Sequence, residues 1–182
     1  RTFQYPVDIP GGAAKKIGLK LVIGSEIVLA DGLEIVVLAV DRQSYGALCR
    51  LISRDAGVHV VSVEYRLAPE HPAPAASDDC YATYLWCVEN AARLGADPAK
   101  IAVGGDSAGG NLAAVVSQRA RDNHAPLPAL QLLIYPVTNF AGDTRSKVLF
   151  AEGYFLSKID MDWFRANYLA ESRGSSHRAR SR

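Results

Sequence analysis

The stretch "IAVGGDSAGGNLAA", Ile101 to Ala114, restricts the fold more than any other part of the chain. An apolar run of strand type meets Gly105-Asp106-Ser107-Ala108-Gly109, and a run of small apolar residues of helical type follows. Only a sharp strand-to-helix turn accommodates that order. Such a turn leaves no room for side chains two residues either side of Ser107, so Gly105 and Gly109 stand there. It lifts the serine Oγ clear of the sheet. The helix that begins after it aims unpaired N–H groups at any nearby anion, and that of Ala108 comes first. Ser107 is therefore the candidate nucleophile, Ala108 N–H the candidate oxyanion donor, and Asp106 an organiser of the turn. A nucleotide loop fits badly: G-x-G-x-x-G fails in register, G-K-[ST] is missing, and Asp106 would repel phosphate.

The flanking sequence supplies the layers such a turn needs. "VHVVSVEY", Val58 to Tyr65, is β-branched on both faces, as a strand covered on both sides must be. "SYGALCRLISRDAG" predicts a short helix closed by Gly57, and "SDDCYATYLWCVENAARLG" a longer one with Ser77 as N-cap and Gly95 at its end. Asp78 and Asp79 are early-helix acids favoured by the helix dipole. "KIAVGG" and "ALQLLIYPV" are strands, the second ended by Pro136, with the helix "AGGNLAAVVSQRARD" between them. Asp31-Gly32 between apolar runs predicts a hairpin within Leu19–Val40. "KIDMDWFRANYLA" offers a last amphipathic helix. Alternation of this kind predicts an α/β fold, a mostly parallel sheet over residues 19–137 with helices on both faces.

Composition bounds the function. The chain has 182 residues and a net charge of +1, so neither nucleic acid nor an anionic membrane is an expected partner. No run approaches the ~18 apolar residues of a membrane span. The three cysteines, Cys49, Cys80 and Cys87, lack metal spacing, and the expectation is buried reduced thiols in a cytoplasmic protein with no metal site. Cys80 and Cys87 stand seven apart on one helix face. Residues 1–172 form the expected domain and 173–182 a disordered basic tail.

"GDSAGGNLAA", together with Tyr65-Arg66-Leu67-Ala68-Pro69-Glu70-His71-Pro72 and "LLIYPVTNF", resembles the hormone-sensitive-lipase-like family of α/β-hydrolase esterases, over roughly Ser44 to Leu169. The resemblance implies an α/β-hydrolase fold that hydrolyses small-molecule esters of short acyl chains. It implies no cofactor, and Ser107 forming an acyl-enzyme that water releases. Two departures follow from the same comparison. Such enzymes carry a His-Gly-Gly-Gly type loop that completes the oxyanion hole, and here Val40 passes through Asp41-Arg42-Gln43 straight into a helix. They also carry an acid and then a histidine on loops after later strands. Beyond "LLIYPV" this chain offers Asp143, Glu152, Asp160, Asp162 and Glu171 without a strand to place them, and then His177 in the tail.

The triad acid and base thus stay unassigned, with His177 a weak candidate. His59 lies inside a strand, His71 braces the proline-rich loop, and His124 suits a helix C-terminus. The expectation is a serine esterase shortened on its C-terminal side and impaired as written. It would expose an apolar sheet edge through which copies of the chain associate. The alternative is a non-catalytic member of the fold that binds a small ligand or a partner above the turn.

Overall fold

A computed structural model describes the backbone of residues 3–7, 15–22, 35–39 and 42–170, with side chains from residue 47 to 170. Six strands form one sheet: β1 (Phe3–Val7), β2 (Lys15–Val22), β3 (Ile35–Ala39), β4 (His59–Glu64), β5 (Ile101–Asp106) and β6 (Leu130–Ile134). Their spatial order is β1-β2-β4-β3-β5-β6. From β4 to β6 every pairing is parallel, while β1 and β2 run antiparallel at the other edge. The main helices are α1 (Arg42–Ala56), α2 (Ala75–Asn90), α3 (Ala108–Asp122), the short α4 (Arg145–Leu149) and α5 (Lys158–Tyr168).

Strand alternation sorts the core into two layers. Val60 and Ala102 point to one face, where they pack with Cys49 and Ala56 of α1. Val61, Val63, Ile101 and Val103 point to the other and pack under α2 and α3, against Tyr84, Cys87, Leu112 and Val116. Residues next to each other in a strand thus serve opposite layers, which is why "VHVVSVEY" carries valines on both faces. Val60 and Val63 are fully buried. Each such side chain contributes about 1.5–3 kcal/mol relative to exposure.

Two local expectations are corrected. The strands flanking Asp31-Gly32, β2 and β3, do not pair as a hairpin: β4 lies between them, antiparallel to β2 and parallel to β3. The inner position of β3 is set by its pairing on both sides with parallel strands, an outcome local turn chemistry does not encode; residues 23–34, which hold Asp31-Gly32, lie outside the described residues. Ser77 is not an N-cap. Helix α2 begins two residues earlier, at Ala75 after Pro74, and the Ser77 Oγ donates to the Pro74 carbonyl at 2.7 Å. Ala75 and Ala76 are strong helix formers directly behind a proline, so the helix reaches back over them. Gly57 and Gly95 do close their helices, both with positive φ, Gly95 after a 3-10 turn over Ala91–Leu94.

Asp79 also has a firmer role than dipole compensation. It is 2% exposed and takes a forked ion pair from Arg66, with Nη2 to Oδ1 at 2.7 Å and Nε to Oδ2 at 2.9 Å. The Arg66 backbone N–H adds a third bond at 2.9 Å. This ties the proline-rich loop after β4 to the start of α2. Replacing Arg66 by methionine strands a buried carboxylate, a change that typically costs about 3–5 kcal/mol. The surviving backbone bond puts Arg66→Met near the low end, a fall in melting temperature of about 6–12 °C. Thermal unfolding followed by circular dichroism measures it, and a shift within 1–2 °C (about the scatter of such melts) would refute the assignment.

Candidate active site

The order of the strands fixes where a site can form. The chain leaves β3, adds β4 on one side, and returns across the sheet to add β5 on the other side of β3. The crevice beyond the carboxyl ends of β3 and β5 is therefore a topological switch point, the usual ligand position of open α/β sheets. Register places Ala39 beside Gly105, so the segment after β3 arrives next to the end of β5. Residues 40 and 41, where the oxyanion loop was sought, lie outside the described residues.

Ser107 occupies the turn between β5 and α3, with φ 51° and ψ −113°. That backbone region is one an L-residue avoids, at a strain of about 1–3 kcal/mol. The neighbours show why it persists. A Cβ on Gly105 would lie 2.4 Å from the carbonyl carbon of Gly109, so the strand end and the helix start touch backbone to backbone. A Cβ on Gly110 would lie 3.0 Å from Pro136 Cβ, where the chain leaves β6. Ser107 N–H donates to Ile134 O at 2.9 Å, and Ser107 O accepts from Asn111 N–H at 3.1 Å and Val137 N–H at 3.2 Å. The turn is thus welded to α3 on one side and to the end of β6 on the other.

Gly105, Asp106, Ser107, Ala108 and Gly109 therefore come together as one turn, with Ser107 half-buried, Ala108 exposed and Gly109 buried. Ala108 opens α3, so its N–H has no partner within the helix. Asp106 Oδ2 accepts from the Tyr135 hydroxyl at 3.2 Å, which engages it across the turn with the chain after β6. Two contributors escaped the sequence analysis: Tyr135, which holds a positive φ of 35°, and Asn111, whose Nδ2 donates to Val137 O at 2.7 Å. The available signal was a lone amide in the otherwise apolar first half of α3.

Among the described residues no side chain hydrogen-bonds Ser107 Oγ. His59 is level with Ile35, and Ile35 with Ile101, at the amino end of the parallel strands, roughly 20 Å of strand from Ser107. His59 Nδ1 is buried without a partner among the described residues. His124 is exposed just past the far end of α3, roughly 22 Å along the helix. His71 is exposed on the loop after β4, its N–H bonded to Leu67 O. His177 lies outside the described residues. The thiols do not compete with the serine. Burial, reinforced by Asp79, pushes Cys80 far above the usual thiol range, and burial alone pushes Cys87 up to about 12. No group of three or more His, Cys, Asp or Glu side chains converges among the described residues, and no described helix is long and apolar enough to cross a membrane.

This geometry has close counterparts. Residues 36–181 match the model of a family described by the alpha/beta hydrolase fold, and the chain belongs to that family. It is 54% identical over 137 residues to the carboxylic ester hydrolase LipN of Mycobacterium tuberculosis, covering 72% of this chain and 36% of that protein. It is 39% identical over 169 residues to an ethyl acetate hydrolase of Pseudomonas putida, covering 92% of this chain and 49% of that one. Among solved structures, the thermostable carboxylesterase EstE1, cloned from a metagenomic library, superposes with a TM-score of 0.81 at 37% identity, over 93% of this chain and 59% of that one. The chain spans about half or less of the length of these two curated relatives.

The strain at Ser107 is open to measurement. Glycine relieves it, so Ser107→Gly is expected to raise stability by about 1 kcal/mol, whereas Ser107→Ala keeps the strain and leaves stability nearly unchanged. Paired urea unfolding curves decide this. A glycine variant less stable than the alanine variant would show the turn to be unstrained.

Proposed function

We propose that this chain carries the nucleophile half of a serine carboxylesterase site and acts on small esters of short acyl chains. The observation that supports this most is the backbone of Ser107, held at positive φ between β5 and α3 at the sheet's switch point. In the proposed reaction the Ser107 Oγ attacks the ester carbonyl carbon. The carbonyl oxygen becomes an oxyanion beside the Ala108 N–H. The bond to the alcohol oxygen then breaks, and the alcohol leaves with the proton that Ser107 gave up. Water hydrolyses the acyl-serine, returning the proton and freeing the acid. No cofactor enters these steps.

No base for the Ser107 proton stands among the described residues. None of the described histidines is bonded to the Oγ, and His177 is the remaining candidate. Without a base the hydroxyl is almost entirely un-ionised at neutral pH and a poor nucleophile. A single missing oxyanion donor costs about 10²–10³ in kcat. Losses within one catalytic unit do not multiply, so residual turnover above that of water is expected, far below that of an esterase with a complete triad. The purified chain and its Ser107→Ala variant should therefore hydrolyse a short-chain nitrophenyl ester slowly, the variant more slowly still. A fluorophosphonate should label the chain at Ser107 and nowhere else. Ligand binding at the turn with no labelling would support the non-catalytic alternative.

Association through the sheet edge belongs to the same proposal. Strand β6 closes the described sheet, and its Leu130, Leu132, Leu133 and Ile134 are each 38–48% exposed, on both faces. Edge strands of this kind pair with other chains. Light scattering should report a dimer or larger species at micromolar concentration, reduced by an Ile134→Lys change. A monodisperse monomer at high concentration would exclude association through β6. Buried free thiols at Cys49, Cys80 and Cys87 support a reducing, cytoplasmic setting.

A further inference from the structure

The peptide unit between Ser107 and Ala108 carries the donor that the proposed reaction needs. A peptide is planar and trans, so its carbonyl and its N–H point opposite ways, and whatever fixes one fixes the other. Here the carbonyl is held by two donors, Asn111 N–H from within α3 and Val137 N–H from the chain beyond β6. The first is an ordinary helical bond. The second depends on where residues 136 and 137 lie, and that segment has left the sheet. What holds it is the Asn111 side chain, whose Nδ2 reaches 26 residues along the chain to donate to Val137 O at 2.7 Å. Gly110, with Pro136 packed on its bare Cα, permits the approach. Asn111, Val137 and Ser107 thus close a ring of hydrogen bonds around the turn.

We propose that Asn111 is a positioning residue: through Val137 it fixes the Ser107–Ala108 peptide, and so aims the Ala108 N–H at the site of the developing oxyanion. Its relevance to reactivity rests on the esterase reading above; the clamp itself does not. Asn111 acts through Val137, to whose carbonyl its Nδ2 donates. A purely structural role would cost stability alone, whereas a positioning role slows the reaction of Ser107 in chains that are still folded.

The test compares the chain with Asn111→Asp and Asn111→Leu, which keep approximate size and lose the amide donors. Arg119→Gln serves as control. It lies on the same helix, pairs with Asp78 at 2.7 Å and stacks 4.6 Å from the Tyr81 ring centroid, away from the turn. Amide hydrogen exchange at Val137 is measured, with the second-order rate of Ser107 labelling by a fluorophosphonate, at a temperature where every variant is folded. In the labelling step the Oγ–P bond forms, the P–F bond breaks, fluoride leaves and the hydroxyl proton passes to solvent. The expected result is roughly tenfold faster exchange at Val137 and roughly tenfold slower labelling in both Asn111 variants, the scale of one lost hydrogen bond. Arg119→Gln is expected to lower the melting temperature and leave both rates within about twofold. Unchanged exchange at Val137 overturns the clamp whatever labelling does. Faster exchange with unchanged labelling overturns its part in reactivity. Failure of the unaltered chain to label overturns the esterase reading instead, and the exchange data then judge the clamp alone.

Discussion

The contact between Gly105 and Gly109 is the point on which the remaining geometry turns. Strand β5 and helix α3 approach so closely there that any Cβ on Gly105 would sit inside the backbone of the helix. The chain can make that contact only by reversing direction within one residue, and that residue is Ser107, at φ 51°. The strain is local, and the bonds that resist it come from Ile134 at the end of β6, from Val137 beyond it, and from Asn111 in the first turn of α3. A strained serine is thus held by bonds to two elements, the end of β6 and the first turn of α3. This is how functional sites keep conformations that a free peptide abandons.

The α2–α3 layer supplies the rigid backing. Arg66 and Asp79 bind the loop after β4 to α2, and Arg119 of α3 reaches Asp78 of α2 while lying over the Tyr81 ring. These two pairs are not equivalent. Asp79 is buried, so its partner matters for stability; the Arg119–Asp78 pair is about one-third exposed on both sides and contributes at most about 1 kcal/mol. Tyr84 anchors the far end, its hydroxyl donating to Pro126 O at 2.8 Å, and burial raises its pKa to about 12 so that it stays a donor. Burial of Leu112, Ala113, Val116 and Ala120, rather than the part-exposed ion pair, gives α3 a fixed axis. Its first turn, with the unpaired N–H groups, points at one place in the crevice.

The apolar surface is distributed unevenly. Under α2 and α3 almost nothing apolar is wasted, yet along β6, α4 and α5 large side chains face outward, with Phe155 fully exposed and Trp163 and Phe164 more than half exposed. Helix α5 is well formed locally, with a capping box in which Ser157 Oγ and Asp160 each close on the other's backbone N–H. It is tied to the rest through Tyr168, which stacks near Phe140 and accepts the Ala73 N–H at its carbonyl. The two curated relatives are substantially longer than this chain.

The sequence by itself determined the turn and the periods around it. Glycines two residues either side of Ser107, a two-sided β-branched strand before α2 and helix stops at Gly57 and Gly95 are each dictated by backbone sterics within a few residues, and each appears in the fold where its residues predicted it. The α/β class followed, because alternating strand and helix periods admit few layer arrangements. Tertiary structure alone decided the rest. Whether β2 pairs with β3 or with β4 depends on long-range competition for the middle of the sheet, and the Asp31-Gly32 signal carries no information about it. The start of α2 before Ser77 was instead a local matter, a proline and two alanines outweighing a capping preference. The link from Asn111 to the Val137 carbonyl, and from Asp106 to Tyr135, joins residues 26 and 29 positions apart that meet only once β6 lies beside β5. Residue types near Ser107 announced a reactive turn; the direction in which that turn points is a property of its neighbours in space.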